Sequence, residues 1–120
     1  MLHVLVVEDS EQTREALEII LRSKGFWVKS MATAQEAIPW LTVGPLPDRV
    51  VVDYYLLSGV GTSLIEELRK MDAGNRVPVV VMTAAPPSKV DELKKSTALL
   101  GPIRFVEKPF EPEQLLEALQ

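Results

Sequence analysis

Four short hydrophobic runs in this chain each stop at polar residues. Val4-Leu5-Val6-Val7 stops at Glu8-Asp9, Val50-Val51-Val52 at Asp53, Val79-Val80-Val81-Met82 at Thr83, and Phe105-Val106 at Glu107-Lys108-Pro109. Val-rich runs without polar alternation predict strands buried on both faces, the mark of a parallel sheet. Segments with apolar residues at i, i+3 and i+4, the spacing of one helix face, lie between them. The strand-like and helix-like segments alternate five times, which predicts an α/β fold with helices on both faces of the sheet.

The elements follow in order. A first strand over about residues 2–7 leads to a helix starting near Ser10, burying Leu17, Ile20 and Leu21 and ending at Gly25. The second strand, 26–31, alternates Phe26 and Val28 with Trp27 and Lys29, as expected of an exposed edge strand. Thr33-Ala34-Gln35-Glu36 is a capping-box pattern opening a second helix with Ala37, Ile38 and Leu41 on one face. Pro39 lies beyond its first turn and predicts a kink or a short helix. Gly44 to Pro47 and Leu57 to Gly61 read as loops, and the third helix buries Leu64, Ile65, Leu68 and Met71. After a turn over Asp72 to Arg76 and the fourth strand, Ala84 to Pro87 lead into a fourth helix. That helix carries Val90, Leu93, Thr97 and Leu100 on one face, and Gly101-Pro102 breaks it. The last helix begins around Pro112, a favoured first-turn position, and buries Leu115, Leu116 and Leu119. It runs into the last residue, which is compatible with the chain being a fragment of something longer.

Composition narrows the function classes. At 120 residues the chain makes one domain over 1–120. The formal charge of -4 argues against direct nucleic-acid binding or a membrane surface, both of which favour a basic face. Without cysteine there is neither disulfide nor thiolate chemistry, which suits a reducing cytoplasm. No basic leader precedes the first strand, and no apolar run approaches the ~20 residues of a membrane-spanning helix.

In a parallel sheet all C-terminal strand ends share one edge, so Glu8, Asp9, Asp53, Thr83 and Lys108 are expected to converge. Three carboxylates in one place repel one another unless a cation joins them. Glu8, Asp9 and Asp53 contribute -3 and Lys108 +1, a local -2 that a divalent ion cancels. Oxygen ligands without nearby His or Cys select Mg²⁺ or Mn²⁺ rather than zinc. Asp53, at the end of the central strand, is the best candidate for a nucleophile forming an aspartyl phosphate. Thr83 can donate to a phosphoryl oxygen, and Ala84 after it leaves room. Taken singly, each of these residues reads as a cap, a turn or a solvated loop, and Glu8-Asp9 as a complement to a helix dipole. Their joint occurrence at the ends of strands 1, 3, 4 and 5 singles them out. His3 reads as structural or exposed, and Trp27, Trp40, Tyr54 and Tyr55 as packing residues.

The segments VLVVEDS (Val4 to Ser10), VVVDYYLLSGVG (Val50 to Gly61), PVVVMTA (Pro78 to Ala84) and VEKPF (Val106 to Phe110) form a highly specific set. Through them the chain resembles a receiver domain of the response-regulator family of two-component signalling, over essentially its whole length. The resemblance implies a doubly wound, flavodoxin-like five-stranded parallel sheet in order 2-1-3-4-5 with five helices. It implies that Asp53 accepts a phosphoryl group from a sensor histidine kinase or phosphotransfer protein. Asp9 and Asp53 would ligate Mg²⁺ (or Mn²⁺) directly, Glu8 through water, and Tyr55 through its backbone carbonyl. Thr83 and Lys108 would contact the phosphoryl group, Phe105 would occupy the aromatic switch position, and the Lys108–Pro109 bond would be cis. Such a domain is a cytoplasmic phosphoacceptor rather than an enzyme, with only autocatalytic phosphorylation and dephosphorylation. Lys89, Lys94 and Lys95 on helix 4 and Glu111, Glu113 and Glu117 near helix 5 suggest a homodimer through the helix 4/strand 5/helix 5 face.

Three features depart from the family pattern. Leu57 stands where proline is common, Phe105 lacks a hydroxyl, and the stretch from Thr83 to Lys108 is longer by roughly one helical turn. Two other function classes compete. An aspartyl-phosphate phosphohydrolase usually has a second Asp two residues after the nucleophile, where this chain has Tyr55. A flavin or nucleotide binder on the same fold would need a phosphate-cradling loop, whereas Glu8 to Glu11 is acidic and glycine-free.

Overall fold

The structure is a computed structural model and describes residues 2–56, 62–71 and 74–120. The expected loop Leu57 to Gly61 and the start of the expected turn at Asp72 lie outside the described residues. The elements alternate throughout: β1 (His3–Val7), α1 (Glu11–Ser23), β2 (Trp27–Met31), α2 (Ala34–Val43), β3 (Arg49–Asp53), α3 (Thr62–Lys70), β4 (Val79–Thr83), α4 (Pro87–Ser96), β5 (Ile103–Glu107) and α5 (Pro112–Ala118). Short 3₁₀ turns follow β3 (Tyr54–Leu56) and precede β4 (Gly74–Arg76). The five strands pair in parallel in the order β2-β1-β3-β4-β5, as expected.

The Val-rich runs form the central strands because both of their faces are covered. Leu5, Val7, Val50, Val52, Val79 and Val81 point into a core layer closed by α2, α3 and α4. Val4, Val6, Val51, Val80 and Met82 point the other way, against Leu17 and Leu21 of α1 and Leu115 and Leu119 of α5. This two-sided burial removes the polar alternation that marks a half-exposed strand. β2 is an edge strand, with Val28 buried between exposed Trp27 and Lys29.

Local signals place most helix ends. Ser10 caps α1, its hydroxyl accepting from the Thr13 N–H at 3.3 Å. Past the Lys24 cap, Gly25 takes φ 89°, a left-handed turn that glycine adopts without penalty. Thr33 caps α2 by accepting from the Glu36 N–H. Pro39 sits inside α2 without ending it, and the helix runs on to Val43.

Two expectations need correction. α4 ends at Ser96, so Thr97 is its cap and Leu100 lies in the turn beyond rather than on the helix. The Thr97 hydroxyl and N–H both bond to the Leu93 carbonyl, and the Leu100 N–H closes back on Thr97. The chain therefore turns before it reaches Gly101. Trp27 and Tyr55, expected as packing residues, are largely exposed, at 58% and 59%.

Candidate functional site

At the carboxyl edge of the sheet the strand register delivers the acidic residues together. β1 ends one residue before Glu8, and the neighbouring strand β3 ends at Asp53. Glu8 and Asp53 are buried while Asp9 is exposed, and one carboxylate oxygen from each lies within 4.8 Å of the others. The Arg14 guanidinium of α1 donates to the Glu8 carbonyl at 2.8 Å, and the Glu8 N–H donates to the Met31 carbonyl at the end of β2. These bonds hold the β1–α1 turn over the sheet edge.

Lys108 enters the same cluster from the β5–α5 loop. Its ammonium donates to Asp53 Oδ1 at 2.6 Å and to Glu8 Oε1 at 3.1 Å. The Lys108 backbone N–H donates to the Thr83 carbonyl at 2.7 Å, and the Lys108–Pro109 bond is cis. The second oxygen of Asp53, Oδ2, accepts from the Tyr55 N–H at 3.1 Å. Both carboxylate oxygens at the end of the central strand are thus engaged.

The electrostatics follow from burial. Desolvation raises the Glu8 pKa above its ordinary value, partly opposed by the hydrogen bond from Lys108. Desolvation pulls Lys108 downward, but its hydrogen bonds and charge interactions with Asp53 and Glu8 outweigh this and leave its pKa raised. The ammonium is therefore held charged between two buried carboxylates, which suits a site built to gather anionic oxygens.

Thr83 ends β4 one residue past the position that pairs with Asp53, since Asp53 lies opposite Met82. It is buried, and its Oγ1 accepts from the Ala85 N–H at 2.9 Å. Phe105 is not part of the cluster. It lies in β5 opposite Val81, on the sheet face covered by α4, and its half-buried ring has Lys94 Nζ 5.3 Å from the centroid. That cation–π contact did not emerge from the sequence, because Lys94 reaches across from another element.

Among the other expected residues, His3 is buried, between the rings of Trp27 (centroids 4.3 Å apart) and Trp40 (5.5 Å). Arg69 of α3 donates to the carbonyls of Gly74, Val77, Leu100 and Pro102, a four-way clamp with no carboxylate among the described residues. Nothing in the local sequence marks Arg69, since its partners are backbone carbonyls, two of them 31 and 33 residues further along the chain.

A five-stranded parallel sheet with an acidic cluster and a lysine at its carboxyl edge defines a doubly wound domain with a site outside the strand ends. Residues 4–120 match the response regulator receiver domain, and the chain belongs to that family. It is 30% identical over 120 residues to the transcriptional regulatory protein DltR of Streptococcus agalactiae, covering 99% of this chain and 50% of that protein. It is 29% identical over 118 residues to the phosphate regulon transcriptional regulatory protein PhoB of Escherichia coli, covering 98% and 49%. The chain thus spans about half the length of these curated relatives. Among solved structures, the receiver domain of sensor histidine kinase PA1611 from Pseudomonas aeruginosa is 27% identical with a TM-score of 0.81, covering 99% of this chain and 94% of that one. That structure has a magnesium ion coordinated in its active-site cleft. Vibrio cholerae chemotaxis protein CheY4 is 25% identical with a TM-score of 0.84, covering 100% and 97%. The comparisons support neither the phosphohydrolase nor the flavin or nucleotide-binding alternative. Among the described residues, no helix is long and apolar enough to cross a membrane.

Proposed function

We propose that this domain is a cytoplasmic, phosphorylation-controlled signalling switch in which Asp53 accepts a phosphoryl group from the phosphohistidine of a sensor kinase or phosphotransfer protein. The supporting observation is the Lys108 ammonium joining Asp53 and Glu8 beside a third carboxylate, Asp9. That donor set fits a hard divalent cation: three carboxylates, two of them buried, carry more negative charge than one lysine balances. Asp9 and Asp53 would hold Mg²⁺ or Mn²⁺ directly, Glu8 through water, and Tyr55 through its carbonyl. A bound ion would neutralise charge on the phosphoryl oxygens.

The chain's own residues do the rest. An Asp53 carboxylate oxygen attacks phosphorus. The P–N bond breaks, and its electron pair leaves on the imidazole nitrogen, which takes up a proton. Lys108, already on Asp53, remains beside the transferred group and compensates charge on its oxygens, the main demand of phosphoryl transfer. The Thr83 hydroxyl, one residue along the neighbouring strand, donates to the same group. The domain carries its own phosphorylation and dephosphorylation chemistry but turns over no separate substrate.

Incubation with a small acyl-phosphate donor tests the reading. Intact mass should show one added phosphoryl group with Mg²⁺ and none with a chelator, and Asp53→Asn should take up none. Full labelling of Asp53→Asn would overturn the assignment.

A further inference from the structure

A cavity of about 250 Å³ lies between α4 and the ends of β4 and β5, with Thr83, Val90, Asp91, Lys94, Phe105 and Glu107 among its walls. Thr83, Phe105 and Glu107 face it together because Val81 pairs with Phe105 and Thr83 with Glu107 in the parallel register. A second cavity of about 240 Å³ opens on the other side, toward Thr97, Gly101 and Ile103, and Phe105 and Lys94 line this one too. The ring and the lysine therefore stand together as the partition between two spaces. Each space is large enough for a phenyl ring, since a cavity of about 150 Å³ already takes benzene. Packing alone does not pin the ring there, because no side chain separates it from either space.

Lys94 follows Leu93, the buried residue of α4, and reaches over the face of Phe105. The neighbouring Lys89 is engaged elsewhere, with Glu92 at 3.7 Å, whereas Lys94 forms no ion pair among the described residues. Two carboxylates, Asp91 and Glu107, line the same cavity as Lys94 and offer its ammonium another destination once the ring leaves. The contact thus has two arrangements, cation on ring and cation on carboxylate.

We propose that Lys94 is a latch on Phe105, holding the ring at the partition through its cation–π contact and so setting how readily the ring enters the space beside Thr83. The proposal deepens, and rests on, the reading of Asp53 and Thr83 as a phosphorylation-coupled pair. Lys94 is a positioning residue: it acts on the site only through the ring. The contact lies at a partly exposed position, where such interactions shift a two-state balance by about two- to five-fold.

The test is a double-mutant cycle. Lys94→Met keeps the aliphatic stem but loses the charge, Lys94→Arg keeps a cation, and Phe105→Leu keeps apolar bulk but loses the ring face. With a small acyl-phosphate donor, Lys94→Met should speed Asp53 phosphorylation about two- to five-fold, and Lys94→Arg should leave it unchanged. In the Phe105→Leu background, Lys94→Met should make no difference. Slowing by Lys94→Met, or the same effect in both backgrounds, would mean that Lys94 acts on the anionic donor by charge and would overturn the latch. A second readout is independent of phosphorylation. In metal-free, unphosphorylated protein with 4-fluorophenylalanine at position 105, the fluorine resonance should move with Lys94→Met but not with Lys94→Arg. An unmoved resonance overturns the latch. If the protein takes no phosphoryl group at all, the Asp53 reading fails while this resonance still decides the latch.

Discussion

The Lys108 ammonium stands 2.6 Å from Asp53 Oδ1, and the Lys108 backbone N–H reaches the carbonyl of Thr83 at the end of the next strand. One residue therefore ties together the expected phosphoacceptor, the backbone of the expected switch residue Thr83 and the loop into α5. It also compensates the charge on Glu8 and Asp53, whose carboxylates are almost wholly removed from water. A buried carboxylate stripped of its partner is costly, because its desolvation is no longer offset.

Lys108→Ala should accordingly lower metal-free stability by about 2 kcal/mol, the scale of hydrogen bonds to charged groups. Mg²⁺ should restore part of that loss, so that added metal raises the melting temperature of the variant more than that of the parent. Calorimetry with and without metal decides it. A variant as stable as the parent in chelator would show that the lysine compensates nothing.

The lifetime of the phosphoryl form should be long. Hydrolysis needs a water aligned with phosphorus, and the residues two positions after Asp53 and Thr83, Tyr55 and Ala85, are expected to flank that approach. Tyr55 presents a ring, set edge-on to Tyr54 at 5.1 Å, and Ala85 a methyl, so neither offers a carboxylate or amide to orient the water. Replacing both, with Tyr55→Asn and Ala85→Glu, should speed decay about ten-fold or more. Decay that is unchanged or slower in the double variant would refute the account.

The sheet and its chemical edge were legible in the chain because both depend on short-range signals. Uninterrupted Val runs report strands covered on two faces, and the polar residue ending each run reports the edge where the strands stop. Ser10 and Thr33 likewise announced the helices they cap. What was not legible depends on partners distant in sequence. Lys94 meets Phe105 only because α4 crosses β5, and Arg69 closes on the carbonyls of Leu100 and Pro102 only once the α4–β5 connection folds back. The end of α4 was misplaced for a local reason: the Thr97 hydroxyl competes for the Leu93 carbonyl and turns the chain, while the apolar spacing continues to Leu100.

His3 should make stability depend on pH. Burial lowers its pKa below the ordinary 6.5, and the nearby Asp48 carboxylate only partly opposes this. Asp48 also accepts the His3 backbone N–H at 2.7 Å, while Nε2 has no hydrogen-bond partner among the described residues. Because the folded pKa is depressed, the unfolded chain takes up its proton first. Stability is then complete above about 6.5 and is lost as pH falls from there through the folded pKa. Urea midpoints should fall over that interval in the parent and fall less in His3→Phe. Equal pH slopes in the two proteins would remove His3 as the cause.

The face formed by α4, β5 and α5 is where the signal is expected to leave the domain, through a homodimer strengthened by phosphorylation. Lys94 and Phe105 line an open groove of about 650 Å³ there, with Gln114 and Glu117 on its far side. Lys89, Lys94 and Lys95 on α4 and Glu111, Glu113 and Glu117 near α5 are all exposed. A two-fold contact requires one patch complementary to itself, which lysines on one helix and glutamates on its neighbour supply. Lys89 is paired within its own helix and Lys94 is held by Phe105, whereas Lys95 makes no ion pair among the described residues and is available for the contact. Sedimentation with and without a beryllofluoride mimic should show a shift from monomer to dimer. Lys95→Glu and Glu113→Lys should each weaken that dimer, and combining them should restore it. A monomer in both states would eliminate the dimer, and unchanged amide exchange across α4 and β5 would eliminate this face as the output surface.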